Sequence, residues 1–189
     1  MKLVDPHPRL QQSFLAAHDE LVAADEEVYA RLQSWPAEGT FPGIDVTRES
    51  LTSSEAFAGY CRFLLEQREK FAPRPRAYVP FTELWLAEGP ELEEYLGRIS
   101  LRHELTEPLL QWGGHIGYVV RPSARRRGLA SAALTGMLQV CRERGIDPVL
   151  VTCDVDNVGS RRTIERAGGR LEDTRLGKLR YWISLDATG

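Results

Sequence analysis

Arg125-Arg126-Arg127-Gly128-Leu129-Ala130 follows the strand-like run Ile116-Gly117-Tyr118-Val119-Val120 and opens a helical one. From Pro108 to Arg142 no acidic residue occurs, while Arg121, Arg125, Arg126 and Arg127 crowd the start of that helix. A helix N-terminus already carries partial positive charge, and Asp or Glu in its first turn would stabilise it better. Arginines placed there are unfavourable on their own, so the pattern predicts an anion: a pyrophosphate or phosphorylated cofactor held by main-chain N–H groups and guanidinium forks. Gly128 lets the backbone approach such a ligand closely. The competing reading is a solvated basic turn without a ligand. No G-x-x-x-x-G-K-[ST] loop occurs, and Gly113-Gly114-x-x-Gly117 neither fits G-x-G-x-x-G nor joins a strand to a helix, which speaks against an NTPase or a nicotinamide enzyme.

On either side of this junction the apolar pattern changes period twice. Leu10 to Leu32 has helical spacing, as one amphipathic helix or two short ones, until Trp35-Pro36 and Gly39-Thr40-Phe41-Pro42-Gly43 break it. A second helix opens at Thr52-Ser53-Ser54-Glu55, carries Phe57, Tyr60, Phe63, Leu64 and Phe71 on one side, and ends at Pro73 and Pro75. Beyond it, Phe81 to Ala87 and Gly97 to Leu105 read as strands joined by the acidic connection 88–94. In the second strand Ile99, Leu101, His103 and Leu105 alternate with polar residues, which puts His103 on the apolar side. The helix from about Gly128 has an inward stripe of Ala130, Ala133, Leu134, Met137, Leu138 and Cys141 and stops at Gly145. Strand 149–154, helix 157–167 and a last strand from Leu179 to Leu185 follow. The order predicts an α/β (α+β) fold: a mixed sheet flanked by helices, with an N-terminal helical segment, 1–75, packed on a core, 76–189, as one compact domain.

Composition narrows the class. With 189 residues, a net charge of −3 and an arginine cluster that is only local, the chain does not read as a nucleic-acid or membrane-surface binder. Cys61, Cys141 and Cys153 are odd in number and far apart, so reduced thiols in a cytoplasmic protein are expected, with no disulfide framework and no metal site. No signal peptide or membrane-spanning run is read from the sequence.

The spacing Arg125-x-x-Gly128-x-Ala130 resembles the Q/R-x-x-G-x-G/A signature of the GNAT acetyltransferase superfamily. Gly114 to Pro122 is similar to that family's fourth strand and Ser131 to Arg144 to its next helix. Val149 to Asp154 resembles its fifth strand, and Asn157-x-x-Ser160 with Ala167-Gly168-Gly169 its second motif. Residues 79–86 and 98–104 further resemble a bacterial subgroup of predicted acetyltransferases without an assigned substrate. The resemblance implies a mostly antiparallel sheet and acetyl-CoA as co-substrate, with coenzyme A gripped by Val119, Val120, Arg121, Arg125, Arg126, Arg127, Gly128, Leu129, Ala130 and Ser131. It also implies that the fourth and fifth strands splay apart and receive the pantetheine arm on main-chain groups of Val119 and Val120.

The resemblance implies a transfer to an amine acceptor, a small molecule or peptide, by direct attack in a ternary complex. Asn157 reads either as an ordinary N-cap or as a pantetheine partner, and Ser160 as a surface serine or as a group near the sulfur. Many relatives have a tyrosine seven residues after this asparagine that protonates the leaving thiolate; here the position is Ile164. Tyr118, Tyr181 or water then become the candidate acids. His115, where relatives often have glutamate, and His103 are candidate bases, with Glu104 and Asp154 in reserve, although a lone histidine on a sheet is more often structural. Glu91, Glu93 and Glu94 read as an attractor for a cationic amine or as a solvated charge run. The rival from another class is a catalytically weak acyl-CoA-binding sensor; a homodimer is an open option.

Overall fold

The computed structural model describes residues 1–185; positions 186–189 of the 76–189 segment lie outside the described residues. The seven strands are β1 (Lys2–Val4), β2 (Phe81–Glu88), β3 (Glu94–Arg102), β4 (Ile116–Val120), β5 (Val149–Asp154), β6 (Arg170–Arg175) and β7 (Lys178–Ile183). They form one sheet in the order β1-β2-β3-β4-β5-β7-β6, antiparallel everywhere except between β4 and β5. The helices are α1 (Gln11–Ala23), α2 (Glu27–Ala30), α3 (Ser54–Glu66), α4 (Leu129–Arg144) and α5 (Val158–Arg166). No helix among the described residues is long and apolar enough to cross a membrane.

Two cores explain the layers. Leu84 and Leu86 of β2, Ile99 and Leu101 of β3, and Val149, Val151 and Cys153 of β5 pack with Leu129, Ala133, Leu134, Met137, Leu138 and Cys141 of α4 and with Ile164 of α5. The opposite face of β2, Phe81, Trp85 and Ala87, packs with Phe14 of α1 and Phe57, Tyr60 and Leu64 of α3. Phe14 stacks on Trp85 at 5.0 Å between ring centroids, an aromatic centre that locks α1 to the sheet. β2 is therefore buried on both faces, and its sequence lacks clean alternation for that reason.

The predicted elements shift in detail. The N-terminal helical run divides at Asp25, a left-handed residue at φ 56°, into α1 and the single turn α2. Leu129 rather than Ala130 begins the buried stripe of α4. Phe71 lies past the end of α3 and is 91% exposed, so it belongs to no helix face. β3 starts earlier than expected and stops at Arg102, leaving His103 just beyond its end. β1 and β6 carry no apolar alternation of the kind that marks a strand. β6 reads Arg-Leu-Glu-Asp-Thr-Arg because it is a solvated sheet edge, where charges discourage further pairing.

The bond between β4 and β5 is unusual. Their parallel register consists of one pair, Ile116 with Val151, whereas β5 pairs with β7 along its whole length. His115, 7% exposed, reinforces this short seam: its N–H donates to the Leu150 carbonyl at 2.7 Å and its Nδ1 accepts from the Leu150 N–H at 2.9 Å. Burial, and then the charge of Arg102, push the His115 imidazole from 6.5 down to about 4. Between these values the unfolded chain binds a proton that the folded chain refuses. Stability is therefore full above about pH 6.5 and falls as pH drops toward 4. His115→Asn, which keeps an acceptor for Leu150 but cannot titrate, should flatten that acid decline in thermal-unfolding midpoints. An unchanged pH slope in the variant would show that His115 does not cause it.

Candidate functional site

The loop between β4 and α4 is built to leave donors free. After a 3₁₀ turn at Pro122–Ala124, Arg126 (φ 64°) and Gly128 (φ 77°) take left-handed conformations before α4 begins at Leu129. Among the described residues, the main-chain N–H groups of Arg126, Arg127, Gly128, Leu129, Ala130 and Ser131 find no acceptor; the first amide of the region to be satisfied is that of Ala132, bonded to the Gly128 carbonyl at 3.1 Å. Left-handed turns leading into a helix N-terminus form a concave donor array that suits an anion. A Cβ at Gly128 would meet no protein atom, so φ demands the glycine and the space in front of it stays open.

The arginine side chains act differently from the expectation. Arg121 is held by Glu20 of α1, and by the Tyr95 carbonyl at 3.0 Å; its pairing keeps the Glu20 carboxyl down at about 2. Arg125 grips Glu26 through both terminal nitrogens at 2.7 and 2.5 Å and donates to the Val120 carbonyl at 3.1 Å. Arg127 pairs with Glu88 at the end of β2. Three carboxylates distant in sequence thus neutralise three of the four arginines that had seemed to need an anion. Arg126 alone of the four has no ion-pair partner among the described residues. The acidic connection after β2 lies beside Arg127, where Glu88 is spent on that pair.

Beyond Ile116 and Val151 the two strands part, and strand alternation assigns what faces the gap. Arg102 N–H bonds the His115 carbonyl at 2.8 Å and Arg121 N–H the Leu96 carbonyl at 2.9 Å, so the odd positions of β4 face β3. The main chain of Val119 is therefore turned toward Arg98, correcting the expectation that it faces the gap. Tyr118 and Val120 present their groups to the opening, with the Val120 carbonyl already shared by Arg125.

Across the gap stands the first turn of α5. The Asn157 side chain caps it, accepting from the Ser160 N–H at 2.9 Å. Ser160 Oγ is 2.8 Å from Tyr118 Oη, and burial pushes the tyrosyl hydroxyl up to about 12. Cys153 is buried nearby and its thiol is raised by the same desolvation. Ile164 has no exposed surface and sits in the core against Gly169, so a tyrosine ring at 164 would overpack the core instead of reaching the gap.

The remaining candidates lie elsewhere. His103 bonds Thr82 Oγ1 through Nε2 at 2.9 Å and lies near Arg144, the last residue of α4. That is the far end of a 16-residue helix, roughly 24 Å from Gly128. Burial, followed by Arg144, Arg74 and Arg68, pushes it down to about 4. Asp154 is ion-paired with Lys178 and accepts from Tyr29 Oη at 3.3 Å. Glu104 is exposed, and Tyr181 donates to Glu165 at 3.2 Å. No group of three or more His, Cys, Asp or Glu able to hold a metal occurs among the described residues. The sequence reading missed Glu20, Glu26 and Tyr29; their only local signal was the charged edge of the first helical run.

The fold has counterparts among known proteins. The profile of the acetyltransferase (GNAT) domain matches residues 16–170. No curated protein matches the sequence significantly. Among solved structures, the microcin C7 self-immunity acetyltransferase MccE, in complex with acetyl-CoA and AMP, superposes with a TM-score of 0.60 at 14% identity, over 97% of this chain and 91% of its own. A ribosomal-protein-S5-alanine acetyltransferase from Vibrio fischeri gives 0.59 at 10% identity, covering 98% of this chain and 92% of that one. RimJ of Mycobacterium smegmatis, in complex with CoA-disulfide, gives 0.55 at 18% identity, over 93% and 79%. At these identities the superpositions speak for the fold, while the profile spans most of the chain: the protein belongs to the GNAT acetyltransferase family.

Proposed function

We propose that the protein transfers the acetyl group of acetyl-CoA to an amine, by direct attack within a ternary complex. The observation that carries this reading is the parted β4–β5 seam, with unbonded amides at one end and the Tyr118–Ser160 hydroxyl pair across its flank. Structural neighbours solved with acetyl-CoA and with CoA-disulfide support the choice of cofactor. The pyrophosphate is assigned to the N–H groups of residues 126–131 and to Arg126. The amide-bearing pantetheine arm then lies along Tyr118 and Val120 as an added strand would, exchanging main-chain hydrogen bonds.

In the reaction the acceptor's nitrogen lone pair forms a bond to the thioester carbon and the C–S bond breaks. The proton lost from nitrogen ends on sulfur, so amine and acetyl-CoA become amide and free coenzyme A. Tyr118 keeps its hydroxyl proton at neutral pH, because its pKa is pushed up to about 12 while a coenzyme A thiol resembles cysteine at about 8.5. It therefore stabilises the departing thiolate by donating a hydrogen bond, oriented by Ser160, without surrendering the proton. Neither histidine suits the role of base: His115 Nδ1 is occupied by Leu150, and His103 lies roughly 13 Å along the sheet from Tyr118. The acceptor enters as the neutral amine, deprotonated by solvent. Reduced, buried cysteines fit a cytoplasmic setting.

Thiol release measured with a panel of amines tests the proposal. Tyr118→Phe should lower kcat about 10- to 100-fold, with little change in the coenzyme A-induced thermal shift. Coenzyme A stabilisation without turnover on any amine would leave a binding module in place of an enzyme.

A second outcome separates the arginines. Arg126→Ala should weaken coenzyme A binding by about 1–3 kcal/mol while leaving the unfolding midpoint of the free protein near wild type. Arg121→Ala, which strands the Glu20 carboxylate, should instead lower that midpoint. Equal affinity losses and no stability difference between the two would refute this division of roles.

A further inference from the structure

The face of β2, β3 and β4 turned away from α4 and α5 carries two guanidinium groups, Arg98 and Arg102, and one carboxylate, Glu83. Antiparallel register aligns Glu83 with Ser100 and Gly117, and Trp85 with Arg98 and Val119. Both Glu83 oxygens are taken, by Trp85 Nε1 and Ser100 Oγ, each at 2.9 Å, and no cation lies within ion-pair distance of it. Arg98 gives its Nη2 to the carbonyls of Tyr29 and Arg31, at 3.2 and 2.6 Å. Arg102 has no such outlet. Its Nη1 is buried without an acceptor, and no side-chain hydrogen bond or ion pair ties the rest of its fork among the described residues. The residue as a whole is half-buried, with Nη1 on its closed side.

Gly117 makes room for this fork. A Cβ there would stand 2.9 Å from Arg102 Nη1 and 3.5 Å from Nη2, so the guanidinium lies directly over the β4 backbone one residue before Tyr118. Neighbouring groups give it no partner: His115 is itself kept uncharged by burial and by Arg102, and the Glu83 carboxylate, bonded to Trp85 and Ser100, acts on Arg102 through its charge alone, without a hydrogen bond or ion pair. A buried, unsatisfied guanidinium nitrogen is costly and calls for an explanation. Its location provides one. The opposite face of β4 is filled by the α4 and α5 core, so an amine approaching the gap must cross the face where Arg102 waits.

We propose that Arg102 receives an anionic group of the acceptor, a carboxylate or a phosphate placed within a few bonds of the amine that is acetylated. This rests on the acetyl-transfer reading above and narrows its substrate class to small acidic amines, as opposed to peptide N-termini, whose carboxylate is masked. The planar fork suits either oxyanion, and Arg98, fastened to the Tyr29 and Arg31 carbonyls at the end of α2, adds to the positive field without competing for the same partner.

Matched acceptors test it by thiol release: an α-amino acid against its amide, and phosphoethanolamine against ethanolamine. The anionic member of at least one pair should have a kcat/KM about tenfold higher or more, and which pair shows the larger ratio separates carboxylate from phosphate. Arg102→Met should erase the ratio by raising KM for the anionic acceptor, while the coenzyme A-induced thermal shift persists. Should that variant fail to fold, Gly117→Ala displaces the fork through the contact described above and should reduce the same ratio. Comparable turnover of neutral and anionic amines, or of a peptide N-terminus, would overturn the inference while leaving acetyl transfer intact. A second readout is independent of turnover. With coenzyme A saturating, glycine or inorganic phosphate should raise the unfolding midpoint of wild type but not of Arg102→Met. If that difference appears without any turnover, the anion site stands and the catalytic reading falls; if it is absent, the anion site falls.

Discussion

Everything at the candidate site depends on two parallel strands that touch at one pair and then part. Each strand is firmly held on its other side, β4 by β3 and β5 by β7, so neither can drift across to close the opening. The seam would be weak on its own. His115 strengthens it by turning its ring into the position of a ladder acceptor for Leu150, which fixes where pairing ends and the gap begins. Main-chain groups left unpaired beyond that point are a cost in the free chain, which the proposed amide-bearing ligand would offset.

The same logic governs the charges. A basic loop at a helix N-terminus is destabilising in isolation, and Glu20, Glu26 and Glu88 relieve it from three different elements. Two of these carboxylates belong to the N-terminal helical segment, which therefore does more than cover apolar surface: it anchors the loop whose amides stay free. Tyr29, bonded to Asp154, carries that segment across to β5, on the far side of the gap. Three of the four arginine side chains are thus tied into ion pairs while the main-chain amides stay unbonded, a division that holds the donor array in place.

The fold was legible wherever periodicity and punctuation agreed. Ser53 before α3, Asn157 before α5 and Gly145 after α4 mark caps that any helix would need, and the structure places each as a cap. β6 escaped because an edge strand in water has no apolar face to advertise. The loop at 125–130 was legible as a special junction, yet its charge balance was not, since Glu20 and Glu26 lie about a hundred residues away in sequence and nothing local ties them to Arg121 and Arg125. His115 was visible as a histidine on a strand, but its role depends on which nitrogen meets Leu150. Ile164 illustrates the opposite limit: the missing tyrosine was plain in the sequence, while the hydroxyl of Tyr118 beside Ser160 depends on how β4 and α5 face each other.

That substitution has a geometric consequence. In the proposed reaction β4 receives the pantetheine arm; a hydroxyl on α5 would be independent of that strand, whereas Tyr118 belongs to it, so one residue would align the thioester through its backbone and meet the sulfur through its side chain. Strand alternation then does the rest. Tyr118 points toward α5 and Gly117, one position earlier, opens the opposite face, where the Arg102 fork lies flat on the space a side chain would have filled. On the two proposals together, leaving-group contact and acceptor contact would be two sides of one stretch of β4. A shift of that strand by one residue would exchange the two faces, which explains why its register is held so firmly by β3 along its length and by His115 at its start.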